Sequence, residues 1–140
     1  MKTDELVLPS YNIEDCEIGI VHLGVGNFHR AHQAFYINEY LNKNDDHNWG
    51  ICGINLRSEE KENFNYLKNR NGKYILKTIS TEGNTRYSEI HAIKKLIDWS
   101  YQKEEAENIL CNSNIEIITM TVTESGYYIS ENNELNLNLS

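Results

Sequence analysis

The residues with the clearest chemical potential lie in Val21-His-Leu-Gly24-Val-Gly26-Asn-Phe-His-Arg30-Ala-His32. An apolar run ends at Leu23, two glycines follow with one residue between them, and a helix-forming segment begins. Gly24 permits a sharp backbone turn, and Gly26, lacking a Cβ, lets a pyrophosphate approach the main chain. Free N–H groups at the start of the following helix suit the same anion. Asn27 is a candidate helix cap that would also donate to a phosphate, and Phe28 flanks the same turn. Arg30 is placed to reach a phosphate or carboxylate; the competing reading is an exposed arginine in a first helical turn, slightly unfavourable to the dipole. His29 stands where a full G-x-G-x-x-G pattern would have its third glycine, so an ordinary strand-to-helix turn stays open beside dinucleotide binding.

A dinucleotide also needs a partner for its ribose, expected where the second strand ends. Leu56-Arg57-Ser58-Glu59-Glu60 follows the second apolar run. Glu59 is the candidate acceptor for the ribose hydroxyls of NAD. Arg57 is read as lying beside the adenine or neutralising a 2′-phosphate, which leaves NADP open. The alternative is a solvated helix start.

The elements that position these residues follow from periodicity. Residues 1–17 read as a polar, irregular lead-in. Strands are expected at 18–23, 51–56 and 115–122, the last dense in β-branched side chains. Helices are expected at 30–42, from Ser58 (a possible N-cap) to about 69, and at 99–110. Residues 74–79 and 86–90 read as a hairpin around Glu82-Gly83-Asn84, and residues 131–140 form no stable element by themselves. The order predicts an α/β fold: a partial Rossmann-type, doubly wound, mainly parallel sheet with a small antiparallel hairpin. The whole of 1–140 is read as the amino-terminal part of one dinucleotide-binding domain.

Composition narrows the partners. A formal charge of −8 argues against nucleic acid, which needs clustered Lys and Arg. Nineteen asparagines give a polar bias, interrupted by ordered apolar segments. No apolar stretch approaches the roughly 18 residues of a membrane span, and no secretory h-region is visible. Cys16, Cys52 and Cys111 are odd in number and unpaired by spacing, which suits a reduced, cytoplasmic protein with cysteines as small buried hydrophobes. His29 and His32, one turn apart, lack a third ligand nearby, so no metal site is expected. Trp99 and Tyr127-Tyr128 read as core or inter-domain packing rather than a stacking platform for bases.

Three segments resemble the mannitol dehydrogenase family of long-chain polyol and hexuronate dehydrogenases. They are Gly24-Val-Gly-Asn-Phe-His-Arg-Ala-His-Gln33, Trp49-Gly-Ile-Cys-Gly-Ile-Asn-Leu-Arg57 and Thr121-Val-Thr-Glu-Ser-Gly-Tyr-Tyr128. The resemblance runs from about Ile18 to Leu137. Its middle, from Leu76-Lys-Thr-Ile-Ser-Thr-Glu-Gly83 to Asp98-Trp99, looks most like the D-arabinitol 4-dehydrogenase branch. Mannitol 2-dehydrogenases and fructuronate or tagaturonate reductases look less alike there. The resemblance implies metal-independent hydride transfer between NAD and a polyol or keto-sugar. It also implies a general acid/base lysine in a later helical domain, whose motifs would lie beyond Ser140. That lysine is matched by no residue here, so the chain alone is expected to be inactive. Glu124 matches the Glu of the family's T-V-T-E segment, which implies a place near the active site and a part in moving protons to solvent; the plain alternative is a glutamate bracing a turn. Two rival expectations remain: a non-catalytic nucleotide-binding module, and half of a split enzyme whose catalytic domain lies on a separate chain.

Overall fold

The computed structural model describes residues 5–57, 61–122, 132, 134 and 135. The chain runs β1 (Leu6–Val7), a 3-10 turn (Ile13–Asp15), β2 (Ile18–Leu23), α1 (Asn27–Ala31), α2 (Gln33–Lys43), β3 (Gly50–Asn55) and α3 (Lys61–Asn69). It continues through β4 (Tyr74–Ile79), β5 (Thr85–Ile90), β6 (Ile93–Asp98), α4 (Lys103–Leu110) and β7 (Ile117–Met120).

Four strands form a wholly parallel sheet in the order β6-β3-β2-β7. The chain starts in the middle at β2, builds outward through β3 and β6, then returns to the other side of β2 with β7. The α/β, mainly parallel architecture is therefore as the sequence predicts. A change of direction of this kind leaves a crevice at the carboxyl ends of the two strands it separates.

The central position of β3 explains its composition. Every residue of Gly-Ile-Cys-Gly-Ile-Asn is buried, as a strand covered on both faces requires. Ile20 and Ile51 pack on one face with Ala34, Phe64 and Leu67 from the helices. Val21, Cys52 and Ile54 pack on the other with Ile97 and Ala106. The period of two sends neighbouring side chains to opposite cores, and each fully buried Ile contributes about 1.5–3 kcal/mol.

The hairpin forms the second sheet, in the order β1-β5-β4, with β4 and β5 antiparallel and β1 parallel to β5. It is tied to the first sheet's helices by Asn38, whose buried Oδ1 accepts from Tyr11 Oη (2.7 Å) and from the His91 N–H (3.0 Å).

Several boundaries differ from expectation. The lead-in contains β1 and the 3-10 turn. The first helix starts at Asn27 and is broken at His32 (φ −119, ψ −89), where the ring Nδ1 meets the Phe28 carbonyl at 2.9 Å. The stretch Ile93–Asp98 is a strand that the apolar pattern does not reveal, and the helix expected from residue 99 begins at Lys103. The strand expected over 115–122 is confined to Ile117–Met120. Cys16 and Cys52 are buried as expected, and burial pushes the Cys52 thiol up to about 12. Cys111 is exposed, because it follows the last turn of α4 at the surface. The Ser58 cap, Tyr127-Tyr128 and most of the tail lie outside the described residues.

Candidate functional site

A cavity of about 360 Å³ opens at the carboxyl ends of β2, β3 and β7. Its walls come from the glycine turn (Leu23, Gly24, Gly26, Asn27, Phe28, His29), the end of β3 (Asn55, Leu56, Arg57) and the end of β7 (Met120, Thr121). This is the crevice that the strand order creates.

The turn is built for close approach. Gly24 has φ +86, a left-handed conformation that favours glycine, and its N–H donates to the Ile54 carbonyl at 2.8 Å. Val25, between the two glycines, is buried in the core and anchors the loop to the sheet. A Cβ on Gly53 would lie 2.4 Å from Val25 Cγ2, so β3 has a glycine where the loop presses against it. A Cβ on Gly24 or Gly26 would meet no protein atom within 4 Å. Bareness at Gly26 is therefore not required by packing, and the space it leaves faces the cavity.

The remaining predicted residues fall as follows. Gly26 itself is the N-cap of α1, with no side-chain cap; this corrects the expectation that Asn27 caps the helix. Asn27 is the first helical residue, and its Oδ1 accepts from the Arg30 guanidinium. Arg30 is not in the cavity wall: its guanidinium lies 5.9 Å from the centre of the Tyr74 ring, and its carbonyl accepts from Tyr74 Oη at 2.5 Å. Phe28 is exposed at the mouth and stacks on His32, with centroids 4.1 Å apart. Arg57 is exposed in the cavity wall and makes no ion pair among the described residues. Its backbone is held by Asn55, whose Nδ2 donates to the Arg57 carbonyl at 3.0 Å. Glu59 and Glu124 lie outside the described residues.

Sequence reasoning missed the histidine pair of which His29 lines the cavity. His22 and His29 are both buried and their rings stack 3.7 Å apart. His22 Nδ1 and Thr119 Oγ1 are 2.7 Å apart, and Thr119 Oγ1 donates to Gln33 Oε1 at 2.9 Å. Since that hydroxyl gives its proton to Gln33, His22 Nδ1 is the donor to Thr119. Burial lowers the His22 pKa, and burial together with His22 alongside pushes His29 down to about 3. Both imidazoles are thus neutral near pH 7. The one visible signal was an imidazole inside the apolar run Ile-Gly-Ile-Val-His-Leu. His32, one turn beyond His29, turns to Phe28 instead, so the two histidines serve separate partners.

The arrangement suits an extended ligand with a central anion. The glycine turn offers open main chain at the middle, Asn55–Arg57 lies to one side and Met120–Thr121 to the other. Comparison with known proteins bears on the same residues. A family model described as the mannitol dehydrogenase Rossmann domain matches residues 18–138. The chain is 36% identical over 115 residues to the D-arabinitol 4-dehydrogenase of Klebsiella pneumoniae, covering 82% of this chain and 25% of that one. It is 33% identical over 130 residues to the mannitol 2-dehydrogenase of Phaeosphaeria nodorum, covering 91% and 22%. Among solved structures, the Pseudomonas fluorescens mannitol 2-dehydrogenase ternary complex with NAD and D-mannitol aligns with a TM-score of 0.84 at 32% identity, over 99% of this chain and 28% of that chain. The chain spans about a quarter of the length of these relatives.

Proposed function

The chain belongs to the mannitol dehydrogenase family of Rossmann domains, and from that premise we propose that it is the amino-terminal part of an NAD-dependent polyol dehydrogenase. The observation that carries the reading is the open space at Gly24 and Gly26 in the crevice between β2 and β7. A pyrophosphate is the group that needs bare main chain there. Asn27 and Phe28 border it. The adenosine half extends toward the end of β3, with Arg57 beside it and Glu59 accepting from the ribose hydroxyls. The nicotinamide half extends toward Met120 and Thr121. When bound, NAD supplies the hydride acceptor. The residues of this chain bind and orient it, and Glu124 relays a proton toward solvent. Arg30 acts indirectly, by holding Asn27.

The substrate is a polyol or keto-sugar, with D-arabinitol oxidised to D-xylulose as the specific proposal. The acid/base lysine comes from polypeptide beyond these residues, on the same chain or a separate one, so residues 1–140 alone turn over nothing. The test joins the chain to its downstream sequence and follows NAD reduction with D-arabinitol, mannitol and hexuronates in parallel. Reduction with mannitol alone would replace D-arabinitol with mannitol as the substrate. Activity in an intact enzyme with Gly26→Val and unchanged cofactor affinity would remove the phosphate turn from the reading.

A further inference from the structure

His29 occupies the place of the third glycine in the dinucleotide turn, where close contact between helix and strand is usual. Here an imidazole fills it, stacked on His22. The side chain is 1% exposed and lines the cavity, and neither ring nitrogen meets a partner at full hydrogen-bonding geometry; the nearby Gln33 amide, which raises the ring's pKa and already accepts from Thr119, serves one of the two nitrogens at most. Its neighbour differs in this respect. His22 is wired to Thr119 through Nδ1, and its Nε2 lies 3.5 Å from Thr121 Oγ1. Buried polar groups are nearly always satisfied, and one left open beside a cavity points to a missing acceptor or donor in the ligand.

We propose that the His29 imidazole hydrogen-bonds the nicotinamide-mononucleotide half of the bound dinucleotide, through its phosphate or ribose oxygens; this rests on the dinucleotide reading above. The geometry selects that half. His29 sits over β2 against a network that leads to Thr119 of β7 and Thr121 just beyond it, on the opposite side of the turn from Asn55 and Arg57. A neutral imidazole carries one N–H donor and one lone pair. Kept neutral by burial, it offers a donor to an oxygen without adding a charge to the pocket. The stack on His22 fixes the ring plane, so the hydrogen bond needs no reorganisation when the ligand enters.

The test is calorimetric titration of the full chain with NAD and with AMP, which lacks the second half. His29→Phe keeps a flat ring for the stack and removes both nitrogens. It is expected to weaken NAD roughly tenfold, the usual scale of one lost hydrogen bond, and to leave AMP within about twofold. NAD affinity unchanged in His29→Phe would overturn the proposal. A second measurement does not depend on the variant folding. The 15N resonances of the unmodified His29 ring are expected to shift on saturation with NAD and to stay in place with AMP. Resonances that ignore NAD, or that respond equally to AMP, would also overturn it. An unmodified chain that binds neither ligand instead removes the dinucleotide reading, and this proposal with it.

Discussion

The rings of His22 and His29 lie face to face, with centroids 3.7 Å apart and planes 14° from parallel. One comes from β2, one of the two inner strands of the parallel sheet, and the other from the helix after the glycine turn. The contact therefore sets how closely helix and strand approach beneath the cavity.

That contact makes stability depend on pH. Burial is the main cause that pushes His29 from 6.5 to about 3, with His22 and Arg30 adding to the depression and Gln33 opposing it. His22 is also lowered by burial. In the folded state His29 stays neutral through the window from 6.5 down to about 3, while the unfolded chain takes up a proton there. Stability is then complete above the upper value and declines as pH falls, by up to about 1.4 kcal/mol per pH unit from this group. Urea unfolding between pH 7 and pH 5 is expected to show the decline, with a shallower slope in His29→Phe. Equal slopes would mean that other groups govern acid unfolding.

The two glycines of the turn should separate folding from binding. Gly24 has φ +86, so Gly24→Ala is expected to cost roughly 1–2 kcal/mol of stability. Gly26 has an ordinary extended backbone and open space where a Cβ would stand. Gly26→Val is therefore expected to cost no more than the loss of a favourable N-cap residue, about 0.5–1 kcal/mol, while losing most of its affinity for NAD. Denaturation and titration on the same two variants check both halves. Equal stability losses would contradict the assignment of the two roles.

Gly53 offers a third kind of glycine. Its Cβ would stand 2.4 Å from Val25 Cγ2 and 3.1 Å from Leu96 Cδ2. Gly53→Ala should overpack the contact that seats the turn and cost about 1–3 kcal/mol. Val25→Ala in the same chain would relieve part of that loss, and the double-mutant cycle measures the coupling. A coupling near zero would show that Val25 does not press on β3.

These residues also show what the sequence made legible. The central strands announce themselves because burial on both faces demands unbroken apolar runs, as in Ile18–Leu23 and Gly50–Asn55. β6 hides because Lys94 and Lys95 interrupt Ile-Lys-Lys-Leu-Ile-Asp. Their justification is tertiary: Lys94 Nζ donates to the carbonyls of Glu14 (3.0 Å) and Cys16, and Lys95 Nζ pairs with Glu105 Oε1 at 2.7 Å. The glycine turn was readable from spacing alone. Arg30 and Asn27 were read as separate ligand contacts, whereas the folded chain joins them to each other. The His22–His29 stack was not readable, since it forms across two elements whose relative placement no local pattern records.

The last prediction concerns β7. Among the described residues it pairs as a strand only with β2, and no described strand lies on its outer edge. Alternation places Ile118 and Met120 on the face opposite Thr119, and they are 50% and 62% exposed. An apolar edge strand with free backbone groups is a template for pairing with another chain. The 140-residue chain is thus expected to self-associate as its concentration rises, in sedimentation-velocity runs. Ile118→Lys places a charge on that face beside the open edge and should weaken association by about tenfold or more. Tyr66→Lys, on the exposed face of α3 and outside β7, is the matched control and should leave association unchanged. If Ile118→Lys and Tyr66→Lys behave alike, contact between chains does not run through β7.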